Sequence, residues 1–119
     1  MKIHTIFPTA IATGQYENFS SAERENLIFN TEYKDDPMFS VSTDTRILDK
    51  VPHLKQWIKE QLDVYASDVM RIENKLKITQ SWCLIHSDRP QFVFPHRHSN
   101  SIVSGSFYVE APLGTRGLT

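Results

Sequence analysis

Two histidines stand at alternate positions in Pro95-His96-Arg97-His98-Ser99-Asn100-Ser101, and their spacing is the clearest chemical signal in the chain. Along an extended segment side chains alternate faces, so His96 and His98 point one way and Arg97 the other. Their Cα atoms then lie roughly 6.5–7 Å apart. Both rings can reach one divalent ion at about 2.0–2.2 Å. First-row metals accept imidazole readily, and two histidines with one further protein ligand make an open, reactive site. Pro95 favours an extended chain ahead of the pair. Asn100 shares the same face if the strand persists that far. A solvated pair on a polar loop is the plainer reading of these residues.

Other residues with chemical potential are weaker. His86 reads as a surface histidine after a strand, and His4 and His53 as structural or exposed ones. Trp82 and Ser81 can wall a pocket, although a tryptophan on an alternating strand ordinarily packs in a core. Cys83 falls on the face opposite Trp82, and a nucleophilic role there requires a neighbouring base and an electropositive pocket. Arg89 and Arg97 can meet an acidic ligand or simply be solvated. Gly105 permits a bulge or a close backbone approach.

These residues need elements to hold them. Asp49 can cap a helix over residues 49–72, where Val51, Leu54, Ile58, Leu62, Tyr65 and Val69 recur every three or four positions. Pro52 suits its first turn. The stripe reads as a packing face rather than a cofactor box. Ser20-Ser21-Ala22-Glu23 has the spacing of a capping box, which opens a short helix through Leu27 and Ile28. Before it, Ile3, Ile6, Phe7, Ala10 and Ile11 suggest an edge strand interrupted by Pro8, and Gly14 to Phe19 a turn. Thr31 to Asp44 is polar, contains Pro37 and reads as a loop tacked to the core by Phe39 and Val41.

From Leu76 the period becomes two. Leu76, Ile78, Gln80, Trp82 and Leu84 alternate with Lys77, Thr79, Ser81, Cys83 and Ile85. Ser87-Asp88-Arg89-Pro90 is turn chemistry. Phe92 and Phe94 lead into the histidines, Ile102 to Val109 reads as a further strand, and Pro112, Gly114 and Gly117 turn the chain again. Helices followed by short strands predict an α+β fold with a largely antiparallel sheet of jelly-roll or barrel type. One domain spans 1–119, with a strand and helices over 1–75 and the sheet with the histidines over 76–119.

Composition narrows the partners. Hydrophobic residues at 39% and charged ones at 23% indicate a soluble globular chain rather than a disordered one. Net charge is −1, with thirteen basic and fourteen acidic side chains dispersed along the length, so no basic block exists to grip nucleic acid. Cys83 is the only cysteine, which excludes an internal disulfide and suits a reducing cytoplasm. The opening residues lack the long apolar run of a signal peptide, and no stretch approaches the ~20 apolar residues of a membrane span.

Several segments together bear a family likeness. Phe7-Pro8-Thr9-Ala10-Ile11, Ile78-Thr79-Gln80-Ser81-Trp82, His96-Arg97-His98-Ser99-Asn100-Ser101 and Ser104-Gly105-Ser106-Phe107-Tyr108-Val109 resemble an iron(II)/2-oxoglutarate oxygenase family common in phages and some bacteria. His-x-His followed by Asn-Ser and Ser-Gly-x-x-Tyr-Val is its most specific part. The resemblance implies a double-stranded β-helix with helices packed on one sheet, as in prolyl-hydroxylase-like enzymes. It also implies Fe(II) and 2-oxoglutarate as cofactors, a hydroxylase-type reaction, and a cytoplasmic location, the host's if phage-encoded.

In that superfamily iron is held by His-x-Asp and a distal histidine, and a later Arg or Lys grips the cosubstrate carboxylate. Carried over, His96 is the first ligand and His98 stands where the aspartate usually is. Tyr108 matches a tyrosine that hydrogen-bonds 2-oxoglutarate, or is a half-buried aromatic; Trp82 and Asn100 are further candidates for the cofactor pocket. A neutral His98 leaves the site one charge more positive than usual, or it is not a ligand at all. No histidine follows His98, and Arg116 comes too soon to be the late arginine. The resemblance therefore implies the N-terminal portion of such a domain, weak or inactive alone.

The rival reading is a metal-binding jelly-roll module without turnover, cupin-like or a phage accessory protein. Cupins place a glutamate shortly after the pair, where this chain has Ser101, Ile102 and Val103. A small-molecule or peptidyl substrate suits the first reading. Under either, an open sheet edge after Val109 invites a second copy or a partner strand.

Overall fold

Helix α1 (Ser21–Ile28) begins where its capping box predicts. In the computed structural model, which describes residues 1, 9–35, 39–86 and 94–113, the Glu23 N–H donates to Ser20 Oγ at 3.1 Å. The Ser20 N–H donates back to the Glu23 carboxylate at 3.0 Å. Burial alone would push the Glu23 carboxyl up. Hydrogen bonds from Ser20 and from the Tyr16 hydroxyl outweigh it and hold the group below its ordinary value.

The long helical stripe divides into a 3-10 turn at Ile47–Lys50, helix α2 (Pro52–Val64) and a π-helical turn at Tyr65–Val69. Pro52 occupies the first turn as expected. Asp49 does not cap: Val51 takes that position without a side-chain bond, because the Asp49 carboxylate is engaged by Lys55 and Arg46. Val51 and Leu54 are fully buried and form the core cluster with Leu27 and Ile47. Tyr16, Phe19, Trp57 and Ile58 close around it. Val69, however, is 47% exposed. The Met70 N–H bonds to the Tyr65 carbonyl, an i to i+5 closure that rotates later positions off the stripe.

Residues 31–44 are not simply a loop. Strand β1 (Tyr33–Asp35) pairs antiparallel with β2 (Ser40–Ser42), with Tyr33 opposite Ser42 and Asp35 opposite Ser40. Strands of three residues are too short for a period-two signal, so composition hid them. Strand β3 (Leu84–Ile85) joins the other side of β2, giving the order β1-β2-β3. The described elements are thus α+β: two helices beside a small three-stranded antiparallel sheet.

The expected strand from Leu76 is reduced to β3 and a bridge between Ser81 and Arg46. Leu76 and Ile78 are half-buried, then Ser81 and Cys83, so the alternation changes phase at the exposed Thr79 and Gln80. Ile102 to Val109 forms no ladder among the described residues. It docks instead by side chains, with Phe107 and Val109 against the core and Glu110 paired to Arg24. Gly105 has open space where a Cβ would stand, so neither a close approach nor a bulge explains it.

Of the opening strand, Ile3, Ile6 and Phe7 lie outside the described residues, as do His4, Ser87 to Pro90, Phe92, Gly114, Arg116 and Gly117. Among the described residues no helix is long and apolar enough to cross a membrane.

Candidate functional site

The site is built outward from Trp82, whose neighbours on both sides are tied by backbone hydrogen bonds. On one side of it, the Ser81 N–H donates to the Thr45 carbonyl at 2.9 Å, and the Ser81 carbonyl accepts from the Ile47 N–H at 3.1 Å. On the other, the Cys83 carbonyl accepts from the Ser42 N–H at 3.0 Å, and the Cys83 N–H donates to Ser42 Oγ at 3.0 Å. Ser42 is buried, and its hydroxyl also donates to the Asp44 carbonyl at 2.9 Å. With both neighbours tied inward, Trp82 projects outward and remains 40% exposed.

The outward indole meets His98. Their ring centroids are 5.5 Å apart at an interplanar angle of 48°. His98 in turn lies edge-on to His96, at 5.1 Å between centroids and 79° between planes. The two imidazoles are therefore neighbours with Trp82 at one flank, although the whole stretch from Phe94 to Asn100 is exposed.

One tautomer follows from geometry. Nδ1 of His96 lies 2.8 Å from the Phe94 carbonyl oxygen. A carbonyl only accepts, so Nδ1 carries the proton and, in the neutral ring, the lone pair sits on Nε2. Metal-ligating histidines are oriented in this manner, with one nitrogen donating to a carbonyl and the other facing the ion. The donor set thus fits a first-row divalent metal held by imidazole. Among the described residues, no group of three or more His, Cys, Asp or Glu side chains surrounds a common point.

The remaining candidates fall elsewhere. Asn100 adopts φ 60°, a left-handed conformation that Asn tolerates better than most residues. The chain turns at Ser99 and Asn100, and Ser101 Oγ follows with a 2.7 Å bond to the Val103 carbonyl. Extended alternation stops there, so Asn100 is not carried onto the histidine face by strand geometry. Tyr108 is 54% exposed, between the inward Phe107 and Val109. No hydrogen bond or ring contact among the described residues joins Asn100 or Tyr108 to the pair. His86 sits by Phe39, at 5.9 Å between centroids, while His53 is exposed at the start of α2.

Cys83 is half-buried and its Sγ lies 3.7 Å from the Leu27 carbonyl. Burial pushes its thiol up. Burial and the adjacent Cys83 push Tyr33 up to about 12 as well. A raised thiol is mostly protonated near neutrality and is a poor nucleophile. An open depression of about 510 Å³ lies apart from the pair, lined by Tyr16, Glu23, Asn26, Lys50 and His53 among others. Glu23 is engaged in its cap, and Lys50 donates to the Asn30 carbonyl at 2.8 Å.

Comparison with models of known protein families, with curated proteins and with solved structures found no match.

Proposed function

We propose that His96 and His98 are iron ligands of a non-haem Fe(II)/2-oxoglutarate-dependent dioxygenase domain of hydroxylase type. The observation that carries this reading is the pair itself: adjacent rings, with His96 held in the tautomer that presents Nε2. The resemblance of the surrounding motifs supplies the reaction class. On this reading the chain contributes part of a double-stranded β-helix, of which the described three-stranded sheet would be one portion.

When bound, Fe(II) with 2-oxoglutarate would supply oxygen activation for hydroxylation of a small-molecule or peptidyl substrate. The chain's own residues orient the ligands and set the charge. A neutral imidazole at 98 leaves the full divalent charge on the ion, where a carboxylate would offset part of it. That favours an anionic cosubstrate, whose two carboxylates then do more of the neutralising. Tyr108 is proposed as the cosubstrate hydrogen-bond donor, its ring 54% exposed between the inward Phe107 and Val109.

The test is anaerobic addition of Fe(II) and 2-oxoglutarate to the full chain, read as the visible metal-to-ligand charge-transfer band. The band is expected, and it disappears in His96→Ala. Metal binding with no band would favour the rival, a metal-binding jelly-roll module without turnover. Succinate formation by residues 1–119 alone is expected to be weak or absent, because a facial triad takes three protein ligands and the pair supplies two. Robust turnover lost in His96→Ala would refute that part of the reading.

A further inference from the structure

We infer that Trp82 is the positioning residue of the imidazole pair: its ring, carried on a backbone tied on both sides, orients His98 toward His96 so that one ion can take both. The inference rests on the proposed metal reading and deepens it. Three observations converge.

First, the histidine segment is exposed throughout, so packing around it does not select a rotamer for His98. Second, among the described residues the ring neighbours of His98 are His96 and Trp82, and Trp82 is the one whose flanking residues are tied to the folded core. The backbone bonds of Ser81 reach the 3-10 turn that carries the buried Ile47, those of Cys83 reach β2, and the Cys83 side chain itself packs against the buried cluster. Third, Trp82 keeps 40% of its surface open on the side away from its tied neighbours, and the His98 imidazole stands beside the ring there. His96 is oriented differently, by the Phe94 carbonyl. Each ligand therefore has its own support, one a hydrogen bond and the other an aromatic wall.

Ni(II) serves as the probe, since imidazole sites take it and it does not oxidise in air. Binding is measured by equilibrium dialysis on the full chain, and tryptophan emission is followed in parallel. The chain has only Trp57 and Trp82, and an open-shell ion beside an indole quenches it. In the wild type a fraction of the emission is expected to quench with the dialysis isotherm. That fraction is absent in Trp82→Phe, and quenching is lost in His98→Ala. Trp82→Ala weakens Ni(II) binding about tenfold, the loss typical when a supporting residue of a metal ligand is removed. Trp82→Phe, which keeps an aromatic wall, retains most of the affinity and shows that the Ala variant is not merely misfolded.

Ni(II) binding that depends on His96 and His98, yet neither quenches Trp82 nor weakens in Trp82→Ala, overturns this inference and leaves the metal reading standing. No Ni(II) binding at all overturns both.

Discussion

The helix-and-hairpin region, residues 16–70, and the histidine segment, residues 94–113, are held by different kinds of interaction. The first has a reciprocal cap on α1, paired strands and fully buried side chains at Val51 and Leu54. The second has no ladder among the described residues and rests on footholds: Trp82 beside His98, Phe107 and Val109 on the core, and Arg24 paired with Glu110. The candidate chemistry sits on the region with fewer supports. Its geometry therefore depends on individual side chains rather than on an element.

This contrast can be broken from the core side. Leu54 is fully buried, so Leu54→Ala should destabilise the chain by about 2–5 kcal/mol in urea denaturation. Because Phe107 and Val109 pack on the same cluster, both regions should be lost in one transition. Separate transitions would show that the histidine segment has support of its own.

Phe107→Ala acts on the foothold. The ring is half-buried, 5.4 Å from Phe19 and 6.4 Å from Tyr16 between centroids. The expected loss is about 2 kcal/mol, below the range for a fully buried phenylalanine. Trypsin should cleave after the exposed Arg97 faster in this variant than in the wild type, while α2 keeps its protection from hydrogen exchange.

Ser20→Ala sharpens the other side of the comparison. Losing the cap should remove about 1 kcal/mol and fray α1 without altering trypsin cleavage at Arg97. The same cap makes the helix acid-sensitive. Glu23 is held below its ordinary value when folded, so its contribution is present above the unfolded value and lost as pH falls through the folded one. Glu23→Gln should flatten that acid limb of a stability-against-pH curve.

The smallest effect on stability belongs to the chemical residues. His96→Ala and His98→Ala should each change unfolding free energy by less than about 0.5 kcal/mol, as exposed positions do. Divalent-metal binding should nevertheless be lost in both.

The same division governs what could be read in advance. The capping box at Ser20 and Glu23 and the proline at the start of α2 are local devices, complete within a few residues, and both stand as expected. Asp49 differs from expectation because a cap competes with ion pairs, and its carboxylate is taken by Lys55 and Arg46. The β1–β2 pairing lies in a mostly polar stretch, and three-residue strands carry no period. The expected strand over 76–85 broke phase at Thr79 and Gln80, since Ser81 is held by the turn at Thr45 to Leu48 rather than by a neighbouring strand. At the site, the i, i+2 spacing correctly suggested neighbouring rings at His96 and His98. Asn100 was placed on their face by assuming continued extension, which its left-handed backbone ends. The contact of Trp82 with His98 spans two segments separate in sequence, and no pattern within either one encodes it.

The central claim is that His96 and His98 bind one ion jointly. Long-range nitrogen–proton correlation of the imidazole rings, during titration with diamagnetic Zn(II), tests it directly. The account predicts that both rings respond together and saturate at one equivalent, with His96 keeping its Nδ1 proton and binding through Nε2, while His53 and His86 stay unmoved. Rings that respond at different metal concentrations, or a His96 that binds through Nδ1, would contradict it.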